Sequence, residues 1–128
     1  MSVTPSDLLQ FAQELLEGQL EVSDRAAASR ACYAALHSCR PVRESLPYAA
    51  GSRRGSHAEV IEDLMNYLGD PTEFQMRVRI LGSLLKQLKA VREHADYDIA
   101  DPFTTGEAAS ALKQAQNIAS RAMQIRKK

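Results

Sequence analysis

The 128-residue sequence contains no tryptophan, and aromatic residues make up only 5% of it. Sheet proteins draw heavily on aromatic and β-branched side chains, so this shortage favours helices packed through leucine and alanine. Hydrophobic residues at 45% and charged residues at 25% are ordinary globular usage. A chain of this length can bury one core without disulfides or metals, and we therefore predict a single all-α domain over residues 1–128.

Neither sign of charge is in excess, because 16 basic residues balance 16 acidic ones. The net charge gives no reason to expect non-specific binding to nucleic acid or membranes, so any such contact must come from a local patch. Long apolar runs are also missing, and the first residues, MSVTPSDLLQ, do not follow the pattern of a secretory signal. We expect a cytoplasmic protein without membrane contact.

Cysteine is scarce, and the two present, Cys32 and Cys39, fall in one helical pattern. Their separation of about 10 Å along a helix axis is beyond disulfide reach, which predicts reduced, buried thiols. A zinc site is not expected, because His37 falls on the other side of that helix and no fourth ligand follows. Asp96, Asp98 and the neighbouring Asp101 lack the glycine and terminal glutamate of a calcium loop, so we predict no metal or cofactor.

Helix starts are marked by a capping residue followed three positions later by an acid. Four such pairs occur, and one further start is predicted at Ser23. The pairs are Thr4 with Asp7, Ser56 with Glu59, Asp70 with Glu73 around Pro71, and Thr104 with Glu107. The predicted helices then cover residues 4 to about 18, 23–41, 56–69, 70 to about 95, and 104 onward. This order predicts an up-and-down bundle of four or five helices.

Residues 41–55, PVRESLPYAAGSRRG, contain two prolines and two glycines without a sustained period, which predicts a mobile loop that can begin with a helical turn. Arg40, Arg43, Arg53 and Arg54 make the loop and its approach the most basic stretch of the chain. Arginines in such a loop are suited to phosphate contacts, although a solvated, flexible loop is the simpler explanation.

A polar stripe runs along the second predicted helix, where Arg30, Tyr33, His37 and Arg40 fall within an arc of roughly 80°, with Ser29 at its margin. The opposite side carries small residues that let another helix approach closely: Ala28, Cys32, Ala35 and Cys39. The stripe is either a functional surface or a solvated face with a half-buried ring.

The fourth predicted helix carries an arginine where its apolar pattern predicts another leucine. Continuing the seam by one step reaches Arg92, which follows Phe74, Val78, Leu81, Leu85 and Leu88. An arginine on a core seam needs a partner, and Asp96 or Asp98 is the nearest carboxylate in sequence. That pairing can be structural alone or part of a site.

Three segments resemble the HEPN families of prokaryotes: SRACYAALH at 29–37, GSHAEVI at 55–61 and LKAVREHADYD at 88–98. The first is similar to the family helix Ser-Arg-x-Tyr-Tyr-Ala-x-Phe-His. The last is similar to the signature Arg-x-x-Ala-Asp-Tyr, with Glu93 and His94 between Arg92 and Ala95. The resemblance implies a four- or five-helix bundle that commonly forms homodimers.

The resemblance also implies a function. Many such proteins are encoded beside a minimal nucleotidyltransferase as a toxin–antitoxin or defence pair, and catalytic members are metal-independent ribonucleases with an Arg-x4-6-His motif. Here the residue five positions after Arg92 is Tyr97, and the only later histidine is His94. The standard histidine is therefore missing, and a tyrosine with a pKa of about 10 is a poor base at neutral pH.

The residues expected to act on a substrate are Arg92, Asp96, Tyr97 and His37, with His37 or His57 supplying the proton transfer. The residues expected to bind substrate or partner are Ser29, Arg30, Tyr33, Arg40, His57, Arg53 and Arg54. Two hypotheses follow: a HEPN ribonuclease-type effector acting on RNA, or a non-catalytic HEPN module that dimerises or docks a nucleotidyltransferase-type partner. If His37 and Arg92 share a cleft, their side chains should lie within about 8 Å.

Overall fold

Capping side chains start three of the five helices in the computed structural model, which describes residues 3–46 and 56–126. Helix α1 (Pro5–Leu16) and α3 (His57–Met65) each begin with a reciprocal capping box. Helix α5 (Thr105–Arg126) begins with the same arrangement, because Thr104 Oγ1 accepts from the Glu107 N–H at 3.0 Å and the Glu107 carboxylate accepts from the Thr104 N–H at 2.9 Å. These three predicted starts are confirmed.

The predicted start and end of the second helix are wrong. Helix α2 (Glu21–Glu44) begins two residues before Ser23, and its N-cap, Leu20, makes no side-chain cap. It also continues through Pro41, which lacks the N–H needed for one helical bond but leaves the last turn intact. The Ser45 N–H closes that turn by donating to the Pro41 carbonyl at 3.2 Å.

The two following helices also differ from the predicted bounds. Helix α3 ends at Met65, four residues before Gly69, and Tyr67 turns into the core instead. Its ring meets Phe74 edge to face, with centroids 5.8 Å apart. Helix α4 (Thr72–Tyr97) begins after Pro71 without a side-chain cap, and it extends past the predicted end at about residue 95.

Helix α2 lies at the centre of the bundle and packs against the other four helices. Its start contacts the end of α4, where Arg25 donates to the Ala95 carbonyl at 2.9 Å, and Cys32 lies further along toward Arg92, so α2 and α4 run in opposite directions. Near that end, Asp24 accepts from Thr105 at 2.7 Å. This contact places the start of α5 beside the start of α2.

The remaining directions follow from contacts near the other end of α2. A pocket brings the start of α1, near Pro5, against Pro41 of α2 and Met123 of α5, so α1 runs opposite to both. The ion pair of Arg43 with Asp63, at 2.6 Å, places α3 beside the end of α2. The predicted all-α bundle is confirmed, with α1, α2, α4 and α5 alternating and the short α3 packing against α4 and the end of α2.

One hydrophobic core holds residues of all five helices. The small-residue stripe of α2 is fully buried, as predicted, and its cysteines are free thiols. Five large side chains at the centre are fully buried: Leu64, Leu81, Leu85, Leu88 and Ile118. Gly82 lies where α3 crosses α4, and a Cβ atom there would lie 2.9 Å from the Met65 backbone nitrogen. The absence of a side chain at Gly82 thus lets α3 approach α4.

Across residues 3–46 and 56–126, none of the helices combines the length and apolar character needed to cross a membrane. Residues 47–55, which form most of the predicted loop with Arg53 and Arg54, lie outside the described residues. Arg43, which the sequence placed in the same basic stretch, is buried and paired with Asp63.

Candidate functional site

Three helices bring together a set of polar side chains that we call the Arg92 cluster: Ser29 and Tyr33 of α2, His57 of α3, and Arg92 and Asp96 of α4. Arg92 Nη1 donates to Asp96 Oδ2 at 3.1 Å, and Ser29 Oγ donates to the same oxygen at 3.4 Å. The Arg92 guanidinium carbon lies 5.6 Å from the centre of the Tyr33 ring, and that ring lies 6.4 Å from the His57 ring. The three segments that carry the HEPN resemblance therefore meet at one place.

Helix geometry explains why these side chains of α2, α3 and α4 meet in the Arg92 cluster. Ser29 and Tyr33 are four residues apart, as are Arg92 and Asp96, so each pair lies on one face of its helix. The packed stripe of α2 turns the Ser29–Tyr33 face toward α4. His57 is the first residue of α3, and the close crossing at Gly82 holds that helix against α4.

The Arg92 side chain is only 11% exposed, and that of its partner Asp96 is 27% exposed. Burial lowers the pKa of Arg92, but a hydrogen bond with Tyr97 and electrostatic interactions with Cys32, Tyr33 and Asp96 outweigh burial, so the pKa is raised overall. The Arg92 Nε–H is buried and has no hydrogen-bond acceptor among the residues that the structure describes. Arg92 is thus a permanent cation with a donor still available.

Tyr33 carries a second arginine, because the Arg30 guanidinium carbon lies 5.7 Å from the centre of its ring. An aromatic ring attracts cations through its quadrupole, so the Tyr33 ring can hold two guanidiniums close to each other without a carboxylate between them. Arg30 is exposed and Arg92 is mostly buried. The Arg92 cluster therefore contains one buried cation, Arg92, and has a surface cation, Arg30, beside it.

His57 is the histidine that the structure brings to Arg92. Its Nε2 lies 3.6 Å from Cys32 Sγ. Burial, together with the charges of Arg92, Lys89 and Arg40, lowers the pKa of His57 to about 4, against a small opposing effect of Glu93. The imidazole is therefore neutral at pH 7, with one nitrogen able to accept a proton. Burial raises the pKa of both cysteine thiols to about 12, so neither is a nucleophile at neutral pH.

The lowered pKa of His57 predicts a pH dependence of stability. Unfolded His57 binds a proton near pH 6.5, whereas the folded protein resists protonation until about pH 4, so acidification through this window favours unfolding. We expect the free energy of unfolding to fall by about 1–2 kcal/mol more in the wild type than in His57→Gln between pH 7 and pH 4.5, after discounting for solvent screening. Urea titrations at both pH values measure this difference, and equal losses in the two proteins would contradict it.

His37 occupies different surroundings from His57. It is exposed and lines a pocket of about 380 Å³ formed by α1, α2 and α5, beside Pro5, Leu9 and Met123. Burial and the charge of Arg40 lower its pKa. Its neighbours in this pocket belong to helices other than α4, so the structure does not bring His37 into the Arg92 cluster.

The other predicted residues are divided between the cluster and its surroundings. Tyr97 is 70% exposed and hydrogen-bonds the Arg92 side chain from the end of α4. Arg40 is half-buried, and its charge reaches His57. Arg53 and Arg54 lie outside the described residues. Among the predicted residues, Ser29, Tyr33, His57 and Asp96 therefore form the cluster with Arg92, while Tyr97 and Arg30 lie at its edge.

The three aspartates after Arg92 that the sequence analysis considered together, Asp96, Asp98 and Asp101, do not form one group in the structure. Asp96 faces Arg92. In contrast, one ring nitrogen of His94 and one carboxylate oxygen each of Asp98 and Asp101 lie within 4.8 Å of one another. His94 Nδ1 and Asp98 Oδ2 are 3.1 Å apart, as expected for a helical i,i+4 pair. The Arg25 guanidinium donates to the Asp98 and Asp101 carbonyls, so this turn already holds a buried cation.

Arg25 is the polar residue that the sequence interpretation missed. It is about 9% exposed, and its Nη1 donates to the carbonyls of His94, Ala95 and Asp98 at 3.4, 2.9 and 3.3 Å. Its guanidinium carbon also lies 5.6 Å from the centre of the Phe103 ring. Arg92 was recognised because it continues a buried helical seam, and the same pattern was present at Arg25. Arg25 lies three residues before Ala28 and so continues the packed stripe of α2 toward its start.

Comparisons of the chain with protein-family models, curated proteins and solved structures give no match. The geometry of the Arg92 cluster is thus the main basis for a functional proposal.

Proposed function

We propose that this chain is a HEPN-type component of a toxin–antitoxin or defence system, in which the Arg92 cluster binds an RNA phosphodiester and supports metal-independent cleavage. The observation that carries the proposal is the buried Arg92 guanidinium, whose Nε–H lacks an acceptor among the described residues and which shares the Tyr33 ring as a neighbour with His57. Guanidinium N–H groups match phosphate oxygens in charge and geometry. Arg92 would hold the phosphate, and exposed Arg30 would contact it or its neighbour.

His57 is the candidate for proton transfer in place of the missing histidine. Cleavage without a metal requires the 2′-hydroxyl to lose its proton as its oxygen attacks phosphorus, while the bond to the 5′-oxygen breaks and that oxygen gains a proton. A neutral imidazole can take the first proton, and water can supply the second. A bound phosphate would also raise the pKa of His57 toward neutrality, because it offsets the cations that now lower it.

Substitution of Arg92 tests this proposal. We expect Arg92→Ala to weaken binding of a short single-stranded RNA about 10- to 100-fold and to abolish its cleavage in the presence of EDTA, because charged hydrogen bonds to phosphate are lost. We expect His57→Asn to bind RNA within about threefold of the wild type and to lose cleavage. Fluorescence anisotropy measures binding, and gel analysis of end-labelled RNA measures cleavage.

Arg77→Ala is the matched control for these variants, because Arg77 is an exposed arginine elsewhere on α4. It should bind and cleave like the wild type. If Arg92→Ala cleaves RNA as well as the wild type prepared in parallel, the proposal is wrong. Loss of binding in Arg77→Ala to the same extent would attribute the effect to total charge and not to the cluster.

A non-catalytic dimerisation or docking module is the second candidate. Tyr97 and Ile99, at and just beyond the end of α4, are 70% and 75% exposed. Exposed apolar groups beside a polar cluster are common at protein interfaces. The experiment above also separates the candidates, since wild-type protein that neither binds nor cleaves RNA would favour docking of a second copy or a nucleotidyltransferase-type partner.

A further inference from the structure

Asp96 occupies the Nη1 donor of Arg92, which is one of the N–H groups that a phosphate would use. Its Oδ2 atom accepts from Arg92 Nη1 at 3.1 Å and from Ser29 Oγ at 3.4 Å. Both donors converge on one carboxylate oxygen, which imitates the position of a phosphate oxygen between a guanidinium and a hydroxyl. An incoming anion must therefore take these donors from Asp96 or bind beside it.

The contact between Arg92 and Asp96 is well shielded from water. The two side chains are 11% and 27% exposed, so their attraction is screened less than that of a surface ion pair. The same shielding strengthens the repulsion between the Asp96 carboxylate and a phosphate bound to Arg92. The carboxylate thus opposes anion binding at short range.

The contact is also incomplete. Asp96 accepts from Nη1 of Arg92, and the Nε–H of Arg92 has no acceptor among the described residues. A guanidinium binds an oxyanion best through two parallel N–H groups. Asp96 therefore holds Arg92 in place without using its full capacity, and an anion with enough additional contacts can complete it.

Resting on the proposed function, we propose that Asp96 is a specificity-determining residue that competes with phosphate for Arg92 and so excludes small free anions. Inorganic phosphate has only Arg92 and its immediate neighbours to overcome this competition. An RNA strand carries further phosphates that can reach exposed Arg30, and these contacts offset the cost of displacing Asp96. The site then selects a nucleic-acid phosphodiester over free phosphate.

The Asp96→Asn variant tests this role, because an asparagine keeps an oxygen that can accept from Arg92 but removes the charge. Affinities for inorganic phosphate and for a short RNA are measured by calorimetry and anisotropy at fixed ionic strength. We expect Asp96→Asn to bind inorganic phosphate at least about tenfold more tightly than the wild type, and RNA by a smaller factor. The preference for RNA over phosphate therefore falls.

Glu93→Gln is the matched control, since it removes one negative charge from the same stretch of α4, where Glu93 pairs with Lys89 at 3.1 Å. We expect its phosphate affinity to change by less than about threefold. Equal effects of the two substitutions would overturn the proposal in favour of general electrostatics. Weaker phosphate binding by Asp96→Asn would overturn it in favour of a purely positioning role.

The double variant Arg92→Ala/Asp96→Asn separates this inference from the proposed function. If Asp96 acts through Arg92, removing Arg92 abolishes the tightening caused by Asp96→Asn. Tightening that persists in the double variant overturns the inference. Phosphate binding that is unchanged by Asp96→Asn, while RNA binding is weakened by Arg92→Ala, also rejects it and leaves the proposed function standing, whereas RNA binding unaffected by Arg92→Ala rejects both.

Discussion

The Arg25→Met variant should unfold with a free energy about 3 kcal/mol lower than that of the wild type, which is a large part of the stability of a domain this size. The buried Arg25 guanidinium donates to four backbone carbonyls at the end of α4 and in the following turn: those of His94, Ala95, Asp98 and Asp101. Methionine preserves much of the side-chain volume but none of these donors. The carbonyls would then be left buried without a partner or would draw water into the bundle.

The measurement is urea unfolding of both proteins at pH 7, followed by circular dichroism. Glu21→Gln is the control, because it breaks only the partly exposed ion pair of Glu21 with Arg25, at 2.9 Å, and leaves the backbone contacts in place. We expect the control to lose less than about 0.5 kcal/mol. Equal losses in Arg25→Met and Glu21→Gln would show that the backbone contacts contribute little.

Arg25 also bears on the functional site, since it joins the start of α2 to the end of α4 one turn from Ser29 and Asp96. Ser29 lies four residues after Arg25, and Asp96 follows the Ala95 carbonyl that Arg25 contacts at 2.9 Å. The contact between Ser29 and Asp96 therefore depends on the same junction. This helix junction positions the Arg92 cluster.

The Gly82→Leu variant should lose about 3 kcal/mol of stability or more, because it forces apart the close crossing of α3 and α4. A Cβ atom at Gly82 would lie 2.8 Å from Met65 Cγ and 2.9 Å from both Leu64 Cβ and the Met65 backbone nitrogen. Two of these atoms are fixed to or near the α3 backbone, so rotation of one flexible side chain cannot relieve the overlap. The whole of α3 would have to move.

Gly106→Leu is the matched control for this substitution. A Cβ atom at Gly106 would meet only Thr104 Oγ1, at 3.7 Å, so we expect a change within about 1 kcal/mol, partly favourable through helix propensity. Thermal and urea unfolding compare the two variants with the wild type. A stability loss in Gly82→Leu no greater than that in Gly106→Leu would show that α3 can shift without cost.

The same variant tests the link between packing and the site. His57 begins α3, so displacement of that helix should separate its imidazole from Cys32 Sγ, now 3.6 Å away. The effect of burial on the pKa of His57 would then be smaller. An NMR titration of the His57 ring in Gly82→Leu at low temperature should show a pKa closer to 6.5 than in the wild type.

Much of the fold could be predicted because local chemistry determines it. Thr4, Ser56 and Thr104 begin helices since their oxygens accept N–H groups that the first turn leaves unpaired. The buried face of α2 was visible as a repeat of small residues. The pairing of Arg92 with Asp96 followed from their spacing of four residues on one helix.

Only the tertiary structure decided which histidine reaches Arg92, because that choice depends on the relative placement of α3 and α2. Residues 29–37 form one polar stripe in sequence, yet Tyr33 lies beside Arg92 while His37 lies in the pocket against α1 and α5. Spacing along one helix assigns residues to a face, but it does not say which neighbour covers each turn of that face.

Local sequence patterns were enough to predict an all-α bundle with a buried small-residue stripe, three capped helices and an arginine on a core seam. The tertiary structure decided that Arg25 joins α2 to α4, that Gly82 admits α3, and that His57 completes the Arg92 cluster. The two groups differ in the sequence separation of the interacting residues. Caps and helix faces depend on residues within about one helical turn of each other. These three features depend on contacts between helices far apart in the chain, which packing of the whole core sets.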